Sequence, residues 1–117
     1  MSVGSHSHTH RDFDTLSREE AERECASSRE ILERRVGAAV EAFAYPRAIV
    51  AHQDVVAANY RFAVAADGLK NVAGLAAPLR LTRTPVRASD GLFFFKRRLS
   101  GAAPLEDGLY ERVRRAR

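Results

Sequence analysis

Near its amino end the chain reads Gly4-Ser5-His6-Ser7-His8-Thr9-His10, with an imidazole at every second position from His6 onward. Imidazole is the commonest protein ligand for transition metals. Because Gly, Ser and Thr are poor helix formers, we expect a strand through Val3-Gly4-Ser5 that runs into a loop. A bend in that loop would bring His6 and His10 to one point, and Ser7 could hold the bend by bonding backbone amides. The stretch predicts that His6 and His10 are metal ligands, and zinc is the metal that we expect.

Two other interpretations of these histidines stay open. The stretch also looks like the remnant of an affinity tag, although it is neither a run of six nor followed by a linker. It is also compatible with a solvated loop in which histidines occur by chance. His8 is a poor third ligand, because side chains at i, i+2 and i+4 of a strand project in parallel and do not converge.

The bulk properties indicate one small globular domain. The chain has 117 residues, of which 45% are hydrophobic, enough for a core and too many for a disordered chain. The single Cys25 excludes an internal disulfide, and we expect it to be a buried, inert thiol. No apolar run approaches the ~20 residues of a membrane span, and the polar start does not read as a signal peptide. We therefore expect a cytoplasmic protein, with the compartment left open because an export signal could lie upstream of Met1.

The charge is basic, with a formal net charge of +4 and a pI of about 9.8. Much of it lies late in the chain, at Lys96-Arg97-Arg98 and in the Arg-rich stretch 112–117. Such a surface could contact nucleic acid. We favour a solvated helix face, because aromatic stacking residues are not interleaved with the basic ones.

The pattern of elements predicts a parallel sheet with crossover helices. After a polar loop at 11–16, Ser17 and Glu20 form a capping box that starts a helix to about Val36, and Gly37 fits the left-handed position after it. The further predicted elements are a strand at 40–45 stopped by Pro46, a helix from about Ile49 to Ala58 with Asn59 as its left-handed end, strands at 60–65 and 79–82, and helices at 91–99 and 105–115.

Three consecutive aromatics, Phe93-Phe94-Phe95, stand in the predicted helix 91–99. A helix cannot bury three successive side chains on one side, so at least one should contact something outside this chain. For the group as a whole we expect packing in the core rather than a ligand-binding role.

Two of these stretches together resemble the polysaccharide deacetylase (NodB-homology) family. The segment from Gly4 to His10 is similar to the family's second motif, His-[Ser/Thr]-x-x-His. Phe43-Ala44-Tyr45-Pro46 is similar to its third motif in the variant F-A-Y-P-x-G. Tyr60-Arg61-Phe62-Ala63-Val64 resembles the strand that follows, and residues 84–94 resemble the tail of some bacterial members. The resemblance implies an α/β fold over residues 1–117: a single partial (β/α) barrel domain of the deacetylase type, with three to four parallel strands, crossover helices and a helical C-terminus.

The resemblance also implies an activity. It is that of a hydrolase acting on carbon–nitrogen (non-peptide) bonds, which removes N- or O-acetyl groups from a polysaccharide with the help of a divalent metal, most naturally zinc. His6 and His10 would bind the metal, and the backbone N–H of Arg47 would stabilise the oxyanion. Tyr45 and Pro46 would wall the substrate groove.

The sequence departs from the family pattern at three points. The first motif, which supplies an Asp ligand and an Asp base, lies upstream of this chain in the family, and neither Asp12 nor Asp14 matches it. Ala48 stands where the family usually has Gly, which alters the loop if that position needs a positive φ. The late Leu-x-His motif of the general acid has no counterpart, since His52 does not match it.

We therefore expect a truncated domain that is inactive alone and exposes strand edges and apolar faces. Its partners would be an acetylated polysaccharide and either the missing N-terminal part of the domain or a second copy of the chain. Two alternatives remain: a non-catalytic carbohydrate- or partner-binding remnant of the fold, and, less favoured, a basic nucleic-acid-binding protein.

Overall fold

The computed structural model describes residues 2–66, 71, 77–86, 88–89 and 91–100. The helices and strands within these residues are α1 (Arg18–Val36), β1 (Ala42–Ala44), α2 (Gln53–Asn59), β2 (Phe62–Ala65), β3 (Leu81–Thr82) and α3 (Leu92–Ser100). Single turns of 3-10 helix occupy Phe13–Thr15, Pro46–Ala48 and Pro78–Arg80. The helix predicted at 105–115 lies outside the described residues.

The strands form one parallel sheet in the order β1-β2-β3. Phe43 is paired with Ala63, and Val64 with Leu81. A parallel connection needs a crossover, and α2 provides it between β1 and β2. The predicted parallel sheet is therefore confirmed, although β3 has only two residues because Pro78–Arg80 form a 3-10 turn where the longer strand 79–82 was predicted.

Ser5 adds a further pairing on the free side of β1. Its N–H donates to the carbonyl of Ala42 (2.8 Å), and its carbonyl accepts from the N–H of Ala44 (2.8 Å). The resulting parallel bridge joins Ser5 to Phe43. The expected strand through Val3-Gly4-Ser5 is thus reduced to one bridge, but it enters the sheet and leads directly into His6.

Helix α1 begins and ends where local sequence signals predict. The Ser17 side chain accepts from the N–H of Glu20, and the Glu20 side chain accepts from the N–H of Ser17, so the capping box is complete. Gly37 has φ 70°, and its N–H donates to the Glu33 carbonyl. Only a residue without Cβ adopts this conformation without strain, which fixes the end of the helix.

The two faces of the sheet differ. On one face the side chains of Phe43, Ala63 and Ala65 are buried, in one apolar cluster with residues of α1 and α2. On the other face Ala44 and Val64 are half-buried, and Phe62 of β2 is 36% exposed. The sheet therefore has one covered face and one open apolar face, as expected for a partial barrel.

The segment 11–16 was predicted to be a polar loop, and this is wrong for two of its residues. Phe13 is 0% exposed and Leu16 is 6% exposed. The Phe13 ring lies 5.3 Å from that of Phe43 and 6.3 Å from that of Tyr45. A single aromatic residue between two Asp residues gives no periodic signal in the sequence. Phe13 nevertheless packs in the hydrophobic core, three residues after His10.

Helix α2 is shorter than predicted and ends differently. It begins at Gln53 rather than at Ile49, because Arg47, Ala48 and His52 all have positive φ. Asn59 is the last helical residue rather than a left-handed stop: its side-chain amide donates to the Val55 carbonyl, and the following Tyr60 is extended with φ −134°.

Core packing of the aromatics in α3 is also a wrong prediction. Phe93, Phe94 and Phe95 are 65%, 43% and 38% exposed, and Leu92 and Leu99 are exposed as well. The prediction of a solvated basic face fails for Arg98, which is only 6% exposed. Among the described residues, no helix combines the length and the apolar character needed to cross a bilayer.

Candidate metal centre

The carboxyl ends of the parallel strands lie on the same side of the sheet, and the loops that follow them start there. His6 follows the bridge at Ser5, the turn Pro46–Ala48 follows β1, and Arg83 follows β3. Loops at the carboxyl ends of parallel strands meet in space, and binding sites of parallel α/β folds lie there. This edge therefore brings together residues that are far apart in sequence.

The structure places the imidazoles of His6 and His10 next to each other. Their ring centroids are 4.9 Å apart, with an angle of 70° between the ring planes. Two imidazoles bound to one tetrahedral zinc have centroids about 5 Å apart, because each nitrogen lies about 2 Å from the metal. The separation of the two rings therefore suits a shared metal ion.

The His6 ring is oriented by the backbone of β1. Its Nδ1 lies 2.7 Å from the carbonyl oxygen of Ala44. A carbonyl only accepts, so Nδ1 is the donor, and in the neutral ring Nε2 is then the nitrogen with the lone pair that a metal would bind. Metal-binding histidines are commonly held in this way, which fixes both the tautomer and the direction of the ring.

The loop between the two rings owes its shape to left-handed residues and to Ser7. Ser7 has φ 65° and His10 has φ 61°. The N–H of His10 donates to Oγ of Ser7 at 3.0 Å, as Ser7 was predicted to do. Left-handed residues other than glycine are uncommon and persist only when their surroundings hold them in place.

Glu24 of α1 provides that hold, and sequence reasoning did not find it. Its carboxylate accepts from the backbone N–H groups of His8 (2.8 Å) and Thr9 (2.7 Å) and from the Thr9 hydroxyl. Burial raises the pKa of the Glu24 carboxyl, but these hydrogen bonds outweigh it and hold the pKa below its ordinary value of 4.5. One signal pointed to it: Glu24 is an acid on the buried side of α1, between Ala21 and Ser28.

A second missed residue is Asp12, which pairs with Arg47. The Nε of Arg47 lies 3.2 Å from Oδ1 of Asp12, and its NH1 donates to Oδ2 at 3.3 Å. Arg47 has φ 50° and Ala48 has φ 61°. Ala48, which stands where the family usually has Gly, thus adopts the left-handed conformation that glycine prefers. The turn therefore keeps a positive φ without a glycine at this position.

The side chains of Tyr45 and Pro46 are buried rather than open to solvent. Tyr45 is 0% exposed, and its hydroxyl donates to the Leu79 carbonyl at 3.1 Å. Burial raises the pKa of the Tyr45 phenol to about 12, so the phenol is neutral. That Tyr45 and Pro46 wall a groove stays a prediction. Because both side chains are buried, the wall would be formed by their backbone atoms and not by the Tyr45 phenol.

A groove of about 420 Å³ runs beside His6 on the open face of the sheet. Its described lining is Gly4, Ser5, His6, Ala42, Phe43, Ala44, Phe62, Val64 and Arg83. The walls are mostly apolar, with one imidazole and one arginine at the edge.

The comparisons with known proteins decide the family. The polysaccharide deacetylase family model matches residues 1–65, which is more than half of the chain and includes His6 and His10. The chain belongs to the polysaccharide deacetylase family. No match was found among curated proteins.

Solved deacetylase structures support the same fold. A polysaccharide deacetylase from Bacillus cereus has a TM-score of 0.70 and 25% identity, covering 83% of this chain and 31% of that one. A Bacillus anthracis protein assigned to the polysaccharide deacetylases has a TM-score of 0.73 and 26% identity, covering 81% and 31%. A Streptococcus pyogenes deacetylase, solved with acetate, has a TM-score of 0.69 at 22% identity, covering 76% and 40%.

These likenesses confirm the predicted fold class, a partial barrel of the deacetylase type with parallel strands and helices. The chain spans about a third of the length of the two Bacillus structures.

As a candidate metal site, the arrangement has two of the three or four protein ligands that zinc usually takes. His6 and His10 offer two nitrogen donors of the type that zinc accepts, with His6 already oriented. Within the part of the chain that the structure describes, no third His, Cys, Asp or Glu joins them. His52 does not belong to the site, since its Nε2 lies 3.0 Å from the Leu16 carbonyl.

Proposed function

We propose that this deacetylase domain takes part in metal-dependent hydrolysis of N- or O-acetyl groups on a polysaccharide. The observation that carries the proposal is the pair of imidazoles, 4.9 Å apart, with Nδ1 of His6 bonded to the backbone of β1. Membership of the family supplies the chemical class, a hydrolase acting on acetyl groups.

His6 and His10 would hold the divalent ion, and zinc is the ion that we expect for two imidazole donors. When bound, such an ion acts as a Lewis acid toward the acetyl carbonyl. The third ligand and the general base would come from outside the described residues, either from the remainder of the domain or from a second copy of the chain.

The turn after β1 would form the other side of the site. Arg47 would direct its backbone N–H at the developing oxyanion, because this N–H lies in the first turn of the 3-10 segment, where backbone donors have no acceptor within the helix. Asp12 would keep this turn in place through its ion pair with the Arg47 side chain. The backbone of Tyr45 and Pro46 would wall the groove.

A zinc titration of the chain, followed by calorimetry, tests the proposal. We expect one zinc per chain in the parent protein and loss of this site in His6→Ala and in His10→Ala. His8→Ala is the matched control, because it removes an imidazole from the same loop without touching the pair, and it should bind like the parent. Equal binding by the parent and by the His6 and His10 variants would contradict the proposal.

A second function is favoured by one observation, namely that the described residues bring no third ligand to His6 and His10. On this account the chain is a non-catalytic remnant that binds carbohydrate or a partner. Release of acetate from an acetylated polysaccharide separates the two functions. Because the third ligand and the base are expected from outside these residues, release is measured with the chain joined to the family's first-motif segment. Zinc-dependent release that is lost in His10→Ala then supports the hydrolase, whereas binding of zinc and polysaccharide without release supports the remnant.

A further inference from the structure

One face of α1 contacts the histidine segment at two successive turns. Oγ of Ser28 lies 2.8 Å from Oγ of Ser5. One turn earlier, the Glu24 carboxylate accepts from the backbone N–H groups of His8 and Thr9 and from the Thr9 hydroxyl. Positions four apart lie on the same side of a helix, and Glu24 and Ser28 are only 8% and 6% exposed. The helix therefore holds the chain at two points, one before the loop and one within it.

His6 is supported by the sheet, whereas His10 is not. Nδ1 of His6 lies 2.7 Å from the Ala44 carbonyl oxygen, and the residue before His6 forms the bridge to β1. In the described part of the chain, the hydrogen bond of His10 goes to Oγ of Ser7, within the same loop. The position of the His10 ring relative to His6 therefore depends on how the loop as a whole is held.

Glu24 is the strongest tie between this loop and the rest of the described fold. Its carboxylate receives three charge-assisted hydrogen bonds in a place that water hardly reaches. The neighbouring tie is the ion pair of Arg11 with Glu20 on the surface, and exposed ion pairs contribute little. Without Glu24, the left-handed backbone of Ser7 and His10 would lose the contact that maintains it.

A metal site gains affinity when its ligands are already in place, because binding then does not have to order them. Groups behind the ligands commonly change metal affinity by about tenfold or more when they are replaced. We propose that Glu24 is a positioning residue of the metal site, which sets His10 beside His6 before the metal binds. This rests on the proposed function. Glu24 is not itself offered as a ligand, since both of its oxygens accept hydrogen bonds from His8 and Thr9.

Calorimetric zinc titrations of two variants separate position from charge. Glu24→Gln keeps the length of the side chain and loses its charge, whereas Glu24→Asp keeps the charge on a side chain that is shorter by one methylene. We expect both to bind zinc about tenfold more weakly than the parent, because neither can hold the two amides and the hydroxyl at once. Parental affinity in Glu24→Gln would overturn the proposal. Parental affinity in Glu24→Asp would also overturn it, because attraction by the charge would then explain the loss.

Ser17→Ala is the matched control for stability. It removes the side-chain cap of α1 and weakens this helix, while the described hydrogen bonds of Ser17 go to Glu20 and not to the histidine loop. At a temperature where every variant is folded, Ser17→Ala should bind zinc within about twofold of the parent. A loss equal to that of Glu24→Gln would contradict the proposal, because zinc affinity would then follow the stability of α1.

NMR of the metal-free chain tests the same point without zinc. At about pH 8 both imidazoles are neutral, and rings with centroids 4.9 Å apart should give NOE cross-peaks between the His6 and His10 ring protons. We expect these cross-peaks in the parent and in Ser17→Ala, and their loss in Glu24→Gln. Cross-peaks that persist in Glu24→Gln would overturn the proposal.

The outcomes separate this inference from the proposed function. Equal zinc binding by the parent and by both Glu24 variants would remove the positioning role alone. A parent that binds no zinc would contradict the proposed function, and with it the role of Glu24 at a metal site.

Discussion

Glu24 is the residue on which the shape of the histidine loop depends. Its carboxylate accepts three hydrogen bonds from His8 and Thr9, and the residue is only 8% exposed. Each bond joins a charged acceptor to a neutral donor, which is the stronger kind of hydrogen bond. The loop that carries both imidazoles is therefore fastened to α1 at one point.

Glu24→Gln should lower the free energy of unfolding at pH 7 by about 1–3 kcal/mol, because the charge is lost and an NH2 group faces the donors. Chemical denaturation measures this. Glu22→Gln is the matched control on the same helix, since Glu22 pairs with Arg18 in an exposed position. It should change stability by less than about 0.5 kcal/mol.

The same contact predicts a pH dependence. The pKa of Glu24 is lowered on folding, so the unfolded chain binds the proton more readily than the folded chain. The stabilisation is then fully present above pH 4.5 and is lost as the pH falls through the lower, folded pKa. The stability difference between the parent and Glu24→Gln should shrink below pH 4.5. A difference that stays constant from pH 7 to pH 3 would show that Glu24 acts through its shape and not its charge.

At the scale of residues, the sequence predicted what lies within the local motif and missed what reaches it from elsewhere. His6, His10 and Ser7 are adjacent in sequence, and their spacing with small polar residues was enough to predict a loop that brings the rings together. Glu24 and Asp12 act through contacts across the fold. The position of Glu24 on the buried side of α1 marks it as unusual but does not show which loop it binds, and nothing near Asp12 indicates Arg47. For Arg47 the predicted role concerned its backbone, while its side-chain pairing with Asp12 had no signal in the sequence.

Helix α1 shows how local signals fix the ends of an element. Gly37 has φ 70°, and a Cβ built on it meets no atom within 4 Å. Gly37→Ala should therefore lower the free energy of unfolding by roughly 1 kcal/mol through backbone strain alone. Thermal unfolding should show a lower midpoint for the variant.

Gly91→Ala is the matched control for the Gly37→Ala substitution. A Cβ on Gly91 also meets nothing within 4 Å, but Gly91 does not have a positive φ. Its replacement should be neutral or slightly stabilising, because alanine reduces the entropy of the unfolded chain. Equal losses in the two variants would mean that the left-handed conformation is not what Gly37 provides.

Elements with their own stop signals were predicted well, and those shaped by tertiary contacts were not. The capping box and Gly37 defined α1, and Pro46 ended β1. The start of α2 was placed four residues too early, because Ala48 and His52 have positive φ, which the apolar pattern of residues 49–58 does not reveal. Phe13 was missed because its burial depends on Phe43 and Tyr45, which come thirty residues later.

At the scale of the whole molecule, the open face of the sheet is the main feature. The chain spans 31% of the length of the two Bacillus structures that it resembles. On its open face, Phe62 and the half-buried side chains around it line grooves rather than a closed interior. Helix α3 adds five large exposed apolar side chains. Exposed apolar surfaces of this kind mark sites of interaction, in line with the expectation that the site is completed by residues beyond those described.

The most direct test of the account is a crystal of the zinc-loaded chain, measured on both sides of the zinc absorption edge. We predict one anomalous peak per chain between His6 and His10, with Nε2 of His6 and a ring nitrogen of His10 at about 2.0–2.1 Å from the metal and Nδ1 of His6 still bonded to the Ala44 carbonyl. Zinc bound elsewhere, or two rings turned away from each other with no peak between them, would contradict it.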